Sequence, residues 1–294
     1  MRARLANRAR ATKRPFNELL QYYAMERFLY RLSRSEHRSR FVLKGALMLR
    51  VWDAPLARPT KDVDFLGRLN NSIPNLVAVV RDILAVDVEP DGMAFDGSTI
   101  KAESIKEEAE YEGVRIRFTV FLGKARVSMQ VDIGFGDVVV PEVKEINYPV
   151  LLDFPPPQLQ GYPREAVVAE KFQAMVFLGS LNTRMKDFYD IWLLARNFDF
   201  QGPTLREAIQ ATFANRGSEI QHTPVALAPI FTGAQSTRAQ WKAFVGKVGT
   251  AIVSQDFADV AAAIAQFLVP VAKACSENQD FKLYWPASGP WRLP

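Results

Sequence analysis

From Tyr111 to Phe135 apolar and polar residues alternate through two consecutive runs, and this alternation constrains the fold more than any other feature of the chain. Strand side chains point to opposite faces with period two. Val114, Ile116, Phe118 and Val120 therefore share one face, while Arg115, Arg117 and Thr119 share the other. In the second run Val127, Met129, Val131 and Ile133 alternate with Arg126, Ser128, Gln130 and Asp132. The pattern predicts two consecutive strands, each with one wet face. Asp132 falls on the polar face, close to the end of its strand.

Around this pair the texture changes. Residues 16–32 are good helix formers with apolar side chains around most of the circumference, which predicts a well-buried helix. Phe41-Val-Leu-Lys44 reads as a short strand or a helix edge ending at Gly45, with helical apolar content over 46–52. Pro55, Pro59 and Thr60 mark a loop. Asp62-Val-Asp64-Phe-Leu alternates as a strand with a wet edge, and 76–86 reads as a helix. Six prolines between 141 and 163 mark the best domain boundary, and beyond them helices are predicted over 164–178, 186–196, 205–215, 239–248 and 256–274. The expected organisation is α+β: a basic tail and helix over 1–40, a mixed α/β core over 41–150, and a helical part over 151–294.

Residues 1–40 hold 11 Lys or Arg against 3 Asp or Glu, whereas the remaining chain holds 26 against 29. The basic character thus belongs to one segment. Cations facing a phosphate backbone release condensed counterions, so this segment is a candidate nucleic-acid contact; a solvated tail ahead of a charged helix face fits it equally. The single cysteine, Cys275, excludes an internal disulfide framework and a cysteine zinc cluster. The two histidines, His37 and His222, have no recognisable partners and read as incidental. Apolar stretches such as 260–268 read as too short and interrupted for a membrane span, and the basic N-terminus lacks a signal-like apolar core. The expected setting is cytoplasmic, without a membrane partner.

Three fragments carry chemistry. In the first, Lys44-Gly45 precedes Arg58-Pro-Thr60-Lys-Asp62-Val-Asp64-Phe. Asp-x-Asp on a strand puts both carboxylates on one face, where their repulsion invites a hard divalent cation such as Mg²⁺ or Mn²⁺. Asp132 is the best candidate for a third ligand in a site that activates a hydroxyl and steadies a triphosphate. Gly45 lets backbone N–H groups approach phosphate oxygens. A solvated strand edge would show the same Asp-x-Asp. In the second fragment, Glu170-Lys171 sits at the margin of an apolar helical stripe, placing Lys171 either to snorkel to water or to face a triphosphate. The third, Arg184-Met-Lys-Asp187-Phe-Tyr-Asp190, puts two acids on one face of a first helical turn with Asn182-Thr183 as the expected cap. There they serve either the helix dipole or chemistry.

In order along residues 16–197, Phe41-Val-Leu-Lys-Gly-Ala-Leu-Met-Leu, Arg58-Pro-Thr-Lys-Asp-Val-Asp-Phe, Val168-Ala-Glu-Lys-Phe-Gln-Ala-Met and Arg184-Met-Lys-Asp-Phe-Tyr-Asp resemble the AbiEii/AbiGii toxin family of nucleotidyltransferases. That family lies within the DNA polymerase β-like superfamily. The resemblance implies a small mixed sheet flanked by helices, followed by a helical C-terminal part. It implies metal binding at Asp62 and Asp64, nucleotide contacts at Lys44, Gly45 and Thr60, and catalytic roles for Lys171 and Asp187. Asp132 fits the superfamily's third strand carboxylate. One departure is visible: the usual Gly-Ser reads Gly45-Ala46, which removes a hydroxyl from the phosphate loop. The residues beyond 197 carry no matching motif.

The resemblance also implies a toxin of a toxin–antitoxin or phage-defence module, paired with a separately encoded winged-helix antitoxin. The implied reaction is NMP transfer from an NTP to the 3′ acceptor end of tRNA, which blocks translation. Transfer to a small molecule such as an aminoglycoside is the competing enzymatic reading, and an inactive RNA- or protein-binding module is the non-enzymatic one.

Overall fold

A computed structural model describes residues 1–55, 57–107, 111–248 and 253–294. The chain divides into two compact units. The first comprises 1–53, 59–137 and 144–161; the second comprises 54–58, 138–143 and 162–294. The break at 161/162 falls inside the proline-rich segment. Residues 1–40 are part of the first unit rather than an appendage, and 144–161 return to it because they add two strands to its sheet.

In the first unit the helices are α1 (Arg2–Thr12), α2 (Phe16–Arg34), α3 (Met48–Val51) and α4 (Ile73–Ala85). The strands are β1 (Phe41–Lys44), β2 (Asp62–Gly67), β3 (Met93–Glu107), β4 (Tyr111–Leu122), β5 (Ala125–Phe135), β6 (Lys144–Asn147) and β7 (Gln158–Gly161). They form one mixed sheet in the order β3-β4-β5-β2-β1-β7-β6. The pairs β2–β5 and β1–β7 are parallel, and the other neighbours are antiparallel. The two alternating runs are β4 and β5, as their period requires. β3 pairs with β4 but reads poorly, because Gly97-Ser98-Thr99 interrupts it at a register shift between Asp96 and Lys101.

The apolar face of the sheet, with Leu43, Val63, Phe65, Ile116, Val131 and Ile133, packs against α2 and α4 in one core. α2 is buried nearly all round, as its composition predicts, and it carries charges into the core. Asp91 accepts from Arg27 at 2.9 Å and from Arg31 at 2.6 Å, so this buried carboxylate is doubly compensated. The N-terminal residues are a helix rather than a tail. Leu5 is fully buried beneath α1, and burying one leucine contributes roughly 2 kcal/mol. Residues 45–47 form a single 3-10 turn ahead of α3, in place of a longer helix.

The second unit consists mainly of α5 (Arg164–Leu178), α6 (Met185–Asn197), α7 (Gly202–Asn215), α8 (Pro229–Thr232), α9 (Gln235–Val248) and α10 (Phe257–Ser276). A two-stranded ribbon joins β8 (Phe200–Gln201) to β9 (Tyr284–Trp285). α10 lies where a helix over 256–274 was expected, but an 18-residue stretch of it reaches a mean hydropathy of 1.5, enough to cross a membrane by length and composition, which the shorter apolar stretch 260–268 did not suggest. Here Val260, Ile264, Phe267, Leu268 and Val271 are buried within the unit, and a core helix has the same composition. The C-terminal tryptophans pack back: Trp285 donates its indole N–H to the Ala195 carbonyl at 2.7 Å, and Trp291 donates to the Phe267 carbonyl at 2.8 Å.

Candidate active site

β2 is a central strand, and its alternation sorts its residues by chemistry. Val63 and Phe65 enter the core, while Asp62 and Asp64 remain half-buried on the opposite face. Residues in register on adjacent strands point the same way. Asp64 is in register with Lys44 of β1 and with Asp132 of β5, and Asp132 is in register with Arg115 of β4. Asp62 is in register with Gln130, which is in register with Arg117. One face of the sheet thus carries two rows of charged and polar side chains, with Asp62, Asp64 and Asp132 together at its centre.

Each of these groups is held in place. Asp132 accepts a bidentate pair from Arg115 at 2.8 and 2.7 Å and a bond from the Gln130 amide at 3.2 Å. The Asp132 carboxylate holds the Arg115 guanidinium above its usual pKa. Lys44 Nζ lies 2.7 Å from the Asp137 carboxylate. Gly45 has φ +71°, and a Cβ there would run into the Asp64 carboxylate. The glycine therefore makes room for Asp64, beyond any service to a phosphate. Ala46 is buried, so its methyl packs inward. The Thr60 hydroxyl accepts the Asp62 N–H at 3.3 Å, and the Thr60 N–H donates to the Tyr22 hydroxyl at 3.2 Å. Thr60 thus fixes where β2 begins.

The oxygen-only carboxylate set of Asp62 and Asp64 fits a hard divalent cation. Asp132 fits less simply, since Arg115 occupies both of its oxygens.

In the second unit, α5 and α6 bring Lys171 and Asp187 together. Lys171 Nζ lies 2.6 Å from Asp187 and 2.9 Å from Asp190. Arg184 Nε reaches Asp187 at 2.7 Å, and Arg58 donates twice to Asp190, both at 2.9 Å. Both aspartates are 1% exposed. Burial disfavours their charge, but the flanking cations prevail and hold both carboxyls below the usual range. Burial likewise opposes the charge on Lys171, and the two carboxylates more than offset it, raising its pKa.

Asn182 caps the approach to α6 by accepting the Arg184 N–H at 2.8 Å, whereas the cap position itself is Arg184 and makes no side-chain cap bond. Asp187 and Asp190 accordingly serve ion pairs rather than only the helix dipole.

Several partners lacked an assignment from sequence. Arg58 and Asp190 lie inside the motif fragments, and Arg115 lies on the polar face of its strand, so their positions were visible while their pairing was not. Asp137 sits beyond the end of β5 with no local signal. His37 is not incidental: it is buried, with Nε2 3.3 Å from Asp82 and 4.0 Å from Glu36, so its ring ties the end of α2 to α4.

Two solved structures from Helicobacter pylori share this fold. One is a presumed nucleotidyltransferase, with a TM-score of 0.51 and 16% identity over 90% of this chain and 99% of that one. The other, JHP933, has a TM-score of 0.51 and 16% identity over 89% and 96%. Among curated proteins none matches the chain. The family model described as nucleotidyl transferase AbiEii toxin, type IV TA system, matches residues 27–263, and the chain belongs to that family.

Proposed function

We propose that this protein transfers a nucleoside monophosphate from an NTP to the 3′ acceptor end of tRNA, using Mg²⁺ or Mn²⁺, and thereby blocks translation. Family membership gives a toxin nucleotidyltransferase of a toxin–antitoxin system, with a separate antitoxin partner. The acceptor, the metal, the winged-helix character of the antitoxin and a cytoplasmic setting belong to the proposal. The observation that carries it is the gathering of Asp62, Asp64 and Asp132 on one face of adjacent strands, with Gly45 shaped around Asp64.

In this reading Asp62 and Asp64 hold the cation. When bound, it neutralises the triphosphate and polarises the α-phosphate. The terminal ribose oxygen of the RNA forms a bond to the α-phosphorus, the α–β phosphoanhydride bond breaks, and pyrophosphate leaves. The hydroxyl proton passes to a carboxylate of the cluster. Thr60 keeps Asp62 in place through the backbone of β2. Lys171 is positioned by Asp187 and Asp190, and its ammonium is a compact charge suited to a triphosphate.

The test is incubation of the wild type and Asp62→Ala with total tRNA, Mg²⁺ and each labelled NTP in turn. Label on the tRNA 3′ end, absent with the variant, is expected. No label with any NTP and either metal would sink the proposal.

A further inference from the structure

The first fourteen residues hold six cations and no acid: Arg2, Arg4, Arg8, Arg10, Lys13 and Arg14. In the structure the first five are exposed around α1. Arg4 pairs with the exposed Asp153, and Arg14 pairs with Glu18. Arg8, Arg10 and Lys13 take no ion pair among the described residues. Arg4 and Arg8 stand four residues apart on α1, where like charges oppose helix formation. The helix is held to the unit by its two buried residues, Leu5 and Ala9.

We propose that α1 is the docking surface for the phosphodiester backbone of the RNA acceptor, a proposal that rests on the RNA-acceptor reading above. Three observations support it. First, the charge complements a polyanion, and Ala3, Asn7 and Ala11 keep the exposed surface between the cations short enough for close backbone approach. Second, the helix leads to the carboxylates. The Arg14 guanidinium lies 5.5 Å from the centre of the Tyr22 ring; the Tyr22 hydroxyl accepts from Thr60, and the Thr60 hydroxyl accepts from Asp62. One aromatic ring thus separates the end of the basic helix from the strand carrying the catalytic aspartates, and Lys61 is exposed beside it. α1 itself extends about 16 Å at ~1.5 Å per residue, long enough to follow a backbone leading to a 3′ end. Third, an anionic membrane fits worse. A helix that lies on lipid inserts an apolar face, and the apolar residues of α1, Leu5 and Ala9, are already buried in the protein.

The test uses full-length protein carrying Arg8→Gln, Arg10→Gln and Lys13→Asn. Asn suits the left-handed backbone at position 13, where φ is 54°. Binding of labelled tRNA is measured across a salt series, with NTP binding and melting temperature as controls. The expected result is about tenfold or greater loss of tRNA affinity at physiological salt. The slope of log affinity against log salt should be shallower by about three, roughly one per cation removed. NTP binding should not change, and melting should be unchanged or slightly raised, since Arg8→Gln relieves the repulsion with Arg4. Unchanged tRNA affinity and slope in the variant would overturn the proposal. So would wild-type binding to vesicles containing phosphatidylserine, lost in the variant, without any α1-dependent tRNA binding. Wild-type protein that binds tRNA through α1 but transfers no nucleotide would leave the dock standing while the transfer reading failed. Transfer with an unchanged KM for tRNA in the variant would do the reverse.

Discussion

Asp62 and Asp64 lie half-buried on the open face of a strand, whereas Asp187 and Asp190 are sealed within helices at 1% exposure. Both are pairs of carboxylates brought together by local periodicity, two residues apart on a strand and three apart on a helix. In the helical pair each oxygen cluster is closed by Lys171, Arg58 or Arg184. A buried charge without such partners is unaffordable, so this network exists to be complete before any ligand arrives. The strand pair is half-buried rather than sealed, and the neighbouring third carboxylate is held by an arginine whose side chain is itself partly exposed. On the proposed reading the strand carboxylates take their cation from solution, whereas the helical pair already has cations of its own.

The largest effect that breaks this comparison is Lys171→Met. It leaves Asp187 and Asp190 buried with only one arginine each, and a loss of about 3 kcal/mol is expected in urea denaturation. Asp64→Asn should cost far less stability, because Asp64 is only half-buried and keeps its shape, while nucleotidyl transfer collapses. The pH signs agree with this picture. The lowered pKa values of Asp187 and Asp190 make the network's contribution complete above the carboxylate range, and it is lost as pH falls through those values. The raised pKa of Lys171 keeps its share until pH rises past the usual lysine range. Lys171→Met with unaltered stability and no transfer would show that Lys171 is not structural and acts on substrate alone.

How far the sequence foretold each region follows the same division. Period-two alternation exposed β4, β5, the common face of Asp62 and Asp64 and the polar facing of Asp132, because strand facing is a local property, whereas the register that sets Asp132 beside Asp64 is not. Lys171 and Asp187 were singled out from their helix fragments, but Arg58 stands 132 residues from Asp190, and nothing local announces a pairing across that separation. β3 escaped notice because Gly97-Ser98-Thr99 and the charged run after Ile100 mask its period. α1 was hidden by its charge: without Leu5 and Ala9 meeting a core, its composition reads as a solvated tail. The β6–β7 pair sits among prolines and becomes sheet only through tertiary pairing with β1.

A buried carboxylate with poorer compensation sharpens the contrast inside the first unit. Asp91 has two arginines and stays ionised, its carboxyl below the usual range. Glu26, on the same helix as those arginines, accepts the Leu151 N–H at 2.7 Å but has Arg27 no nearer than 3.9 Å. Burial pushes its carboxyl up to about 7. The folded protein therefore holds a proton that the unfolded chain releases near its ordinary value of 4.5. Stability falls as pH rises through the window between these values, by up to ~3 kcal/mol at about 1.36 kcal/mol per unit. Glu26→Gln should match the wild type at pH 5 and exceed it at pH 8 in urea denaturation. Equal stability at both values would mean that the nearby cations compensate Glu26 as fully as they do Asp91.

The smallest effect tests the boundary between the two kinds of site. Arg115 clamps Asp132, yet its side chain is 29% exposed, so the pair is partly screened and contributes about 1 kcal/mol. If Asp132 belongs with the receiving carboxylates, Arg115→Gln releases its oxygens to the same face as Asp64, and Mn²⁺ binding measured by calorimetry tightens a few-fold. The structural cost stays small, because Gln130 still donates to Asp132. Were Asp132 instead a partner fixed for folding, the variant would lose stability and gain no metal affinity. That outcome would move Asp132 to the side of Asp187 and Asp190, leaving Asp62 and Asp64 as the whole of the cation site.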